Sequence, residues 1–232
     1  MTKAVFFDVD FTLIYPGPKF LGEGYREFCA KHGMAVDPAR FGPAVLSASH
    51  ILDQAQDSVY NHQIFIDYTA RIIEQMGGRG PAVAGCAAEI YEEWAACQHF
   101  ILYEDVHAGL KALAERNVVI GLISNSHRCL DSFQSHFELE GLIDVAVSSS
   151  LHGYMKPHPS IFEAALKIGG VTAAESVMVG DSLSQDIEGA RRVGMRGVLV
   201  RRSESISPAE ATDVPVIRSL RELPGVLDRD EG

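Results

Sequence analysis

Aspartates at the ends of two apolar segments are the residues best placed to do chemistry. Asp8 and Asp10 come directly after an apolar run that begins at Ala4, and Asp181 follows the run Val177–Val179. Side chains alternate along an extended chain, so Asp8 and Asp10 point the same way. Two such carboxylates repel each other when no Arg or Lys is near, which favours a hard cation such as Mg²⁺ between them. Taken alone, the pair is also compatible with a strand end capped by turn-forming acids.

The second acidic cluster reads Gly180-Asp181-Ser182-Leu183-Ser184-Gln185-Asp186. We expect Gly180 to let the backbone turn tightly. Because the carboxyl ends of parallel strands share one edge of a sheet, Asp181 can meet the two N-terminal aspartates there. For Asp186, the alternative is an N-cap of a helix that runs through Val193.

Two polar segments could bind an oxyanion at the same edge. Ser124-Asn125-Ser126 follows the second apolar run and offers a hydroxyl group and backbone N–H groups. Lys156 is one of only six lysines and precedes Pro157, which pushes the Lys156 backbone toward an extended conformation. We expect Lys156 to reach the pocket, with a solvated surface lysine as the alternative.

Apolar runs alternate with helical patterns, which predicts an α/β fold with a Rossmann-like, doubly wound parallel sheet. Strands are predicted at Ala4–Val9, Val118–Ile123, Ile143–Val147, Val177–Val179, Gly197–Val200 and, at an edge because of Pro215, Val214–Ile217. Helices are predicted at Asp105–Arg116, Ser160–Ile168 and Asp186–Val193. Asp105 is an N-cap candidate, Asn117 suits a left-handed position, and Pro159 suits a first helical turn.

The stretch 16–100 interrupts this alternation and contains no convincing strand. Its apolar residues recur at helical spacing in three stripes: Val45, Ala48, Leu52, Ala55 and Val59; Ile64, Tyr68, Ile72 and Met76; and Cys86, Ile90, Trp94 and Cys97. This period predicts a helical domain over 16–100, inserted into an α/β core domain over 1–15 and 101–232. Tyr60, His62 and Gln63 lie at a helix junction, where they could face the core domain or be solvated.

Composition and charge exclude several classes of protein. The chain of 232 residues has a formal charge of −11 and 47% hydrophobic residues, which is typical of a globular protein. The negative charge disfavours nucleic acid and anionic membranes as partners. Its four cysteines form no C-x-x-C pair, its first residues lack the long apolar region expected of a signal peptide, and no apolar run approaches about 20 residues. We expect a reducing, cytoplasmic setting and leave the oligomeric state open.

In combination, these motifs resemble the haloacid dehalogenase superfamily, most of whose members are phosphatases. The matching segments are D-x-D-x-T as Asp8-Val9-Asp10-Phe11-Thr12, the serine after the second strand as Ser124, Lys-Pro as Lys156-Pro157, and G-D-S-x-x-x-D as Gly180 to Asp186. The helical insertion looks like the cap domain of this family. The resemblance implies a Mg²⁺-dependent phosphomonoester hydrolase that acts on a small phosphorylated metabolite through an aspartyl-phosphate.

The resemblance also implies a catalytic role for three residues. Asp8 would be the nucleophile, and Asp10 would protonate the leaving alcohol and then deprotonate the attacking water. Lys156 would offset the charge of the phosphate and of Asp8. Phe11 departs from the pattern because many members have Gly there, so we expect its backbone not to be left-handed and its side chain to narrow the pocket mouth.

Binding roles are implied in the same way. The substrate would be bound by Thr12, Ser124 and Asn125. The metal would be held by Asp8, the backbone carbonyl of Asp10, and Asp181, while Ser182 and Asp186 would support these ligands or orient Lys156.

Other reactions of the same family are separated by Asp10 and by the lysines of the insertion. A haloacid dehalogenase or a phosphonate hydrolase has no acid at the position of Asp10, and the latter needs a cap lysine as a Schiff base. Here the lysines of the insertion, Lys19 and Lys31, lie near its start. A sugar phosphomutase keeps both aspartates and stays an alternative. From a different class, the alternative is a non-catalytic phosphate- or metal-binding or receiver-like module.

Overall fold

The chain folds into two compact units. The structure is a computed structural model, and it describes residues 1–53, 58–202 and 213–229. One unit consists of Met1–Tyr15 with Leu102–Gly232, and the other of Pro16–Ile101. Within the described residues, no helix is both long enough and apolar enough to cross a bilayer.

A parallel sheet organises the first unit, which confirms the predicted Rossmann-like α/β fold. The strands of the described residues are β1 (Ala4–Phe7), β2 (Ile14–Pro16), β3 (Phe100–Leu102), β4 (Val119–Ser124), β5 (Val145–Ser148), β6 (Ser176–Gly180), β7 (Arg196–Val200) and β8 (Val216–Ile217). Six of these described strands form the sheet in the order β5-β4-β1-β6-β7-β8. All neighbours in it are parallel, and β8 lies at an edge, as its proline predicts.

Helices pack on this sheet and build the second unit. Those described are α1 (Gly22–Lys31), α2 (Phe41–Ala48), α3 (His50–Asp53), α4 (His62–Gln75), α5 (Ala82–Glu93), α6 (Val106–Ala114), α7 (Leu130–His136), α8 (Ser149–His152), α9 (Pro159–Gly169), α10 (Glu188–Arg192) and α11 (Leu223–Arg229). Phe6 of β1 shares a buried cluster with Phe162 of α9 and Ala190 of α10. Val5 and Phe7 are also fully buried and, by alternation, face the other side of the sheet.

Local sequence signals set the ends of several helices. Pro159 opens α9, as predicted, with the His158 side chain accepting a hydrogen bond from the Ser160 N–H. Asn117 has a φ of 56°, which confirms the left-handed position predicted after α6. Asp105 precedes α6, but its side chain does not cap the helix; it accepts hydrogen bonds from Arg202, Ser219 and the Leu220 N–H.

The second unit is a helical assembly with its own core. Helix α4 packs against α2 and α5, and α1 packs against α5. Ile72 of α4, Met76 directly after this helix, and Cys86 and Ile90 of α5 are buried, as their spacing predicts. The first predicted stripe is not one helix: Val45 and Ala48 lie in α2, Leu52 lies in α3, and Val59 lies outside both. Its Ala55 lies outside the described residues.

Polar residues near the start of α4 make contacts inside the helical unit. Asn61 caps the helix by accepting a hydrogen bond from the Gln63 N–H, and the Gln63 side chain bonds Asp67. The Tyr60 hydroxyl lies 2.5 Å from that of Tyr91. These contacts fix the junction locally, and a role for its side chains in recognition stays a prediction.

Two short strands were not predicted. Strands β2 and β3 form a separate two-stranded sheet, and the division of the chain at Pro16 and Ile101 falls inside them. Each strand has only three residues, too few for a period-two pattern to stand out in the sequence.

Candidate active site

Three adjacent strands deliver the motifs to one edge of the sheet. Phe7 of β1 lies opposite Leu122 of β4 and Val179 of β6. The chain continues from these positions into Asp8, Ser124 and Asp181. The Asp8 N–H donates to the Val179 carbonyl at 2.9 Å, which extends the β1–β6 pairing by one residue. The parallel register therefore brings the first, second and last motifs to the same edge.

Lys156 lies inside this site and is not a solvated surface residue. Its side chain is 1% exposed, and its Nζ lies 2.6 Å from Asp8 Oδ1 and 2.7 Å from Asp186 Oδ1. Burial alone would lower the pKa of Lys156, but the Asp186 and Asp8 carboxylates outweigh it and raise the pKa above its usual value. Lys156 is therefore a fixed positive charge between two carboxylates.

Carboxylate oxygens of Asp8, Asp181 and Asp186 lie within 4.8 Å of one another, close enough to share a metal ion. Burial, with the neighbouring Asp186 charge, raises the pKa of Asp8 from 3.8 to about 7 although Lys156 opposes the shift. Burial and the Asp8 charge likewise raise the pKa of Asp181 well above its usual value. Crowded, desolvated carboxylates of this kind favour a bound cation, and their oxygens suit Mg²⁺.

A π-helical turn over Leu183–Ile187 places Asp186 in this cluster. Asp186 is 1% exposed, and its Oδ2 accepts a hydrogen bond of 2.9 Å from the Ser182 N–H. Ser182 is the N-cap of the turn, because its hydroxyl accepts from the Gln185 N–H. The alternative that Asp186 only caps a helix through Val193 is therefore wrong.

Gly180 serves a different purpose from the tight turn expected of it. It is the last residue of β6, and a Cβ built on it would overlap the Asp186 carboxylate. The space beside Gly180 is what allows that carboxylate to approach the strand and reach Lys156. The glycine is required here by a close side-chain approach and not by a turn.

Asn125 uses its side chain to fix the Lys156 backbone. Its Nδ2 donates to the Lys156 carbonyl at 3.0 Å, and its Oδ1 accepts from the Lys156 N–H at 2.7 Å. Nδ2 also lies 3.1 Å from Gln185 Oε1, which links the π-helical turn to the same clamp. Ser124 is buried, with its hydroxyl 2.9 Å from that of Ser126. Phosphate binding by Ser124 and the Asn125 N–H stays a prediction.

Asp10 has a partner that the sequence reasoning missed. Both of its carboxylate oxygens accept hydrogen bonds from Arg128, at 3.0 and 3.1 Å, and the Arg128 side chain has no exposure. The expected repulsion between Asp8 and Asp10 assumed no nearby cation. This was wrong, because Lys156 pairs with Asp8 and Arg128 with Asp10. Arg128 follows the Ser124–Ser126 segment, and that position was the available signal.

The loop after β1 contains a second correction. Phe11 has a φ of 64°, so its backbone is left-handed, contrary to expectation. Its side chain is 45% exposed. Thr12 is fully buried, its hydroxyl has no hydrogen-bond partner in the described part of the chain, and its carbonyl accepts from Arg202. Arg202 also pairs with Asp105 at 2.7 Å, so it links the loop after β1 to the residue that precedes α6.

The candidate site combines acidic and basic side chains. Four carboxylates, from Asp8, Asp10, Asp181 and Asp186, face the cations of Lys156 and Arg128. The carboxylates outnumber these two cations, which favours a divalent cation among them.

The sequence between residues 2 and 194 matches the family model of haloacid dehalogenase-like hydrolases. The chain belongs to this family. It is 29% identical over 222 residues to haloacid dehalogenase-like hydrolase domain-containing protein 3 of Bos taurus, covering 91% of this chain and 88% of that protein. It is also 29% identical to glyceraldehyde 3-phosphate phosphatase of Pyrococcus furiosus, covering 99% of this hydrolase and 95% of the relative.

A solved structure supports the same grouping. The hydrolase superimposes on a HAD phosphatase from Thermococcus onnurineus with a TM-score of 0.66 and 26% identity, covering 97% of this chain and 98% of that one. Membership of the family places the buried Asp8–Lys156 pair in a hydrolase.

Proposed function

We propose that this hydrolase is a Mg²⁺-dependent phosphatase that cleaves a small phosphate monoester through an aspartyl-phosphate. The observation that carries the proposal is the buried arrangement of Asp8 against Lys156, within 4.8 Å of two further carboxylates and beside Asp10. The Lys156 ammonium favours the ionised form of Asp8, the form that can attack phosphorus, and opposes the rise in pKa that burial causes.

The reaction has two displacements at phosphorus. In the first, an Asp8 oxygen forms a bond to phosphorus, the ester P–O bond breaks, and Asp10 gives a proton to the leaving alcohol. In the second, Asp10 takes a proton from water, the water oxygen bonds to phosphorus, and the Asp8–phosphorus bond breaks. The products are the alcohol and inorganic phosphate, and both aspartates return to their starting state.

The remaining residues of the site bind charge. Lys156 neutralises charge on Asp8 and on the incoming phosphoryl oxygens, while the Ser124 hydroxyl and the Asn125 N–H donate to those oxygens. Asp8, Asp181 and the Asp10 carbonyl would hold Mg²⁺, and Asp186 fixes Lys156. The metal would supply charge neutralisation at the phosphoryl oxygens.

We further propose that the helical unit acts as a cap that excludes water and selects the ester. The helical unit, Pro16–Ile101, is compact by itself and contains none of the candidate site residues, which supports a separate role for it.

The free cysteines support the reducing, cytoplasmic setting that we propose for the protein.

Asp10 favours phosphate ester hydrolysis over the dehalogenase and phosphonate reactions, which need no acid at this position. A sugar phosphomutase is the second candidate, because its chemistry uses the same two aspartates. Turnover in ¹⁸O-labelled water separates phosphate ester hydrolysis, the mutase reaction and dehalogenation. A phosphatase places the label in inorganic phosphate, a mutase releases no labelled phosphate, and hydrolysis at carbon places it in Asp8.

Substitution of the nucleophile tests the proposal most simply. Asp8→Asn should abolish Mg²⁺-dependent hydrolysis of p-nitrophenyl phosphate, whereas Asp228→Asn, on the surface near the C-terminus, should leave it unchanged. Reversible loss of activity with EDTA is expected in the same assay. Turnover that survives Asp8→Asn would overturn the nucleophile, and turnover that survives EDTA would overturn the metal requirement.

A further inference from the structure

We infer that Arg128 is a positioning residue that holds the Asp10 carboxylate in the orientation needed for proton transfer. The inference rests on the proposed function, because it gives Arg128 a role only if Asp10 exchanges protons with substrate and water.

The geometry distinguishes this ion pair from an ordinary salt bridge. Both terminal nitrogens of Arg128 bond separate oxygens of Asp10, at 3.0 and 3.1 Å. Two parallel hydrogen bonds fix the plane and the rotation of a carboxylate, which a single bond to an ammonium does not. Asp10 therefore has its orientation fixed through Arg128.

Burial adds a second argument. The Arg128 side chain is 0% exposed and the Asp10 side chain 19% exposed, so the guanidinium lies behind the carboxylate and away from solvent. Removing a guanidinium from water is costly, and apolar residues of similar volume often serve stability equally well. An arginine in this place is explained more simply by what it does to Asp10 than by stability.

The chain around Arg128 is also anchored to the site. Arg128 lies between β4 and α7, four residues after Ser124, whose hydroxyl contacts that of Ser126. The Ser126 carbonyl accepts a hydrogen bond from the Ser150 N–H. The backbone that carries Arg128 is thus fixed to the same strand end that is proposed to bind the phosphoryl group. Through its hydrogen bonds, Arg128 can therefore hold Asp10 in a set position relative to that group.

The experiment is a double-mutant cycle with two substrates. Arg128→Met and Arg128→Lys are made in the natural sequence and in the Asp10→Asn background, with Arg191→Met, on the surface, as the control. For each protein, kcat and KM are measured with Mg²⁺ for p-nitrophenyl phosphate and for an alkyl phosphate that the enzyme hydrolyses. The alkyl ester has the poorer leaving group and depends more on protonation.

Because positioned proton transfer contributes on the order of 10²–10⁴-fold, Arg128→Met should lower kcat for the alkyl ester by about tenfold or more. KM should change little, and the loss for the aryl ester should be smaller. Arg128→Lys, which keeps the charge but not the paired bonds, should fall between. In the Asp10→Asn background, Arg128→Met should cause no further loss of kcat.

A purely structural role predicts another pattern. Arg128→Met would then lower kcat by the same factor for both esters and in both backgrounds, and this result would overturn the inference. Melting curves show whether Arg128→Met folds. If it does not, the same cycle with Arg128→Lys tests the inference. If Asp10→Asn itself leaves alkyl ester hydrolysis unchanged, it is the proposed function that fails. If Asp10→Asn is impaired but both Arg128 variants keep full kcat, only this inference fails.

Discussion

Lys156→Met tests whether the site is held together by charge. The side chain is replaced by an apolar one of similar length, so the buried ammonium that lies 2.6 Å from Asp8 and 2.7 Å from Asp186 is lost. Removing one partner of a buried ion pair costs about 3–5 kcal/mol, because the other partner is left uncompensated. In a domain of this size, such a loss lowers Tm by roughly 6–20 °C.

A divalent cation should partly restore the stability that Lys156→Met loses. Without Lys156, the clustered carboxylates lose the ammonium that pairs with Asp8 and Asp186, and Mg²⁺ should bind them more tightly than in the natural protein. We therefore expect a large drop in Tm in EDTA and a larger Mg²⁺-dependent rise in Lys156→Met than in the unsubstituted chain.

Thermal melts in EDTA and in Mg²⁺ measure both effects. Lys3→Met is the control, because its pair with Glu175 is on the surface, where the Lys3 side chain is 61% exposed, and its Tm should change little. A Lys156→Met protein as stable in EDTA as the control would refute the reasoning. So would the same Mg²⁺ response in both proteins.

Three further predictions follow from single contacts. The folded protein raises the pKa of Asp8 from 3.8 to about 7, so it binds this proton more tightly than the unfolded chain does. Stability in EDTA should therefore fall as the pH rises from about 4 to about 7, and Mg²⁺ should raise Tm more at pH 8 than at pH 5; a Mg²⁺ effect that shrinks with pH would contradict this. Gly180→Ala should raise the Mg²⁺ concentration for half-maximal activity about 10–100-fold, since its Cβ displaces Asp186. Gly42→Ala, with open space around it, should not, and equal behaviour of the two alanine variants would remove the steric explanation. Phe11→Gly should change stability by less than about 1 kcal/mol, because relief of the left-handed backbone is offset by unfolded-state entropy, whereas Phe11→Val should lose more than that in urea melts; a stable valine variant would count against backbone strain.

The sequence was sufficient for features that follow from strand order and local stereochemistry. Asp8 and Asp181 end neighbouring parallel strands, so their approach follows once the alternation of strands and helices is recognised. Lys156 was predicted to reach the pocket because prolines constrain the chain on its C-terminal side. These inferences needed only short-range information and the topology that it implies.

Features that depend on side chains meeting from distant parts of the chain could not be derived in this way. Arg128 and Asp10 are 118 residues apart, and nothing in the spacing of either identifies the other. Gly180 could be explained only once the Asp186 carboxylate was seen against it. The left-handed Phe11 shows a further limit, since a preference for glycine is an energy of about 1–2 kcal/mol that surrounding contacts can overcome.

The central claim is that Asp8 becomes phosphorylated during turnover. Borohydride added to the enzyme while it hydrolyses a phosphate monoester with Mg²⁺ would reduce an aspartyl-phosphate to homoserine, which mass spectrometry of the N-terminal peptide detects. Conversion of Asp8 to homoserine that requires both substrate and Mg²⁺ is predicted. Continued hydrolysis with Asp8 unmodified, or reduction at a different aspartate, would contradict it.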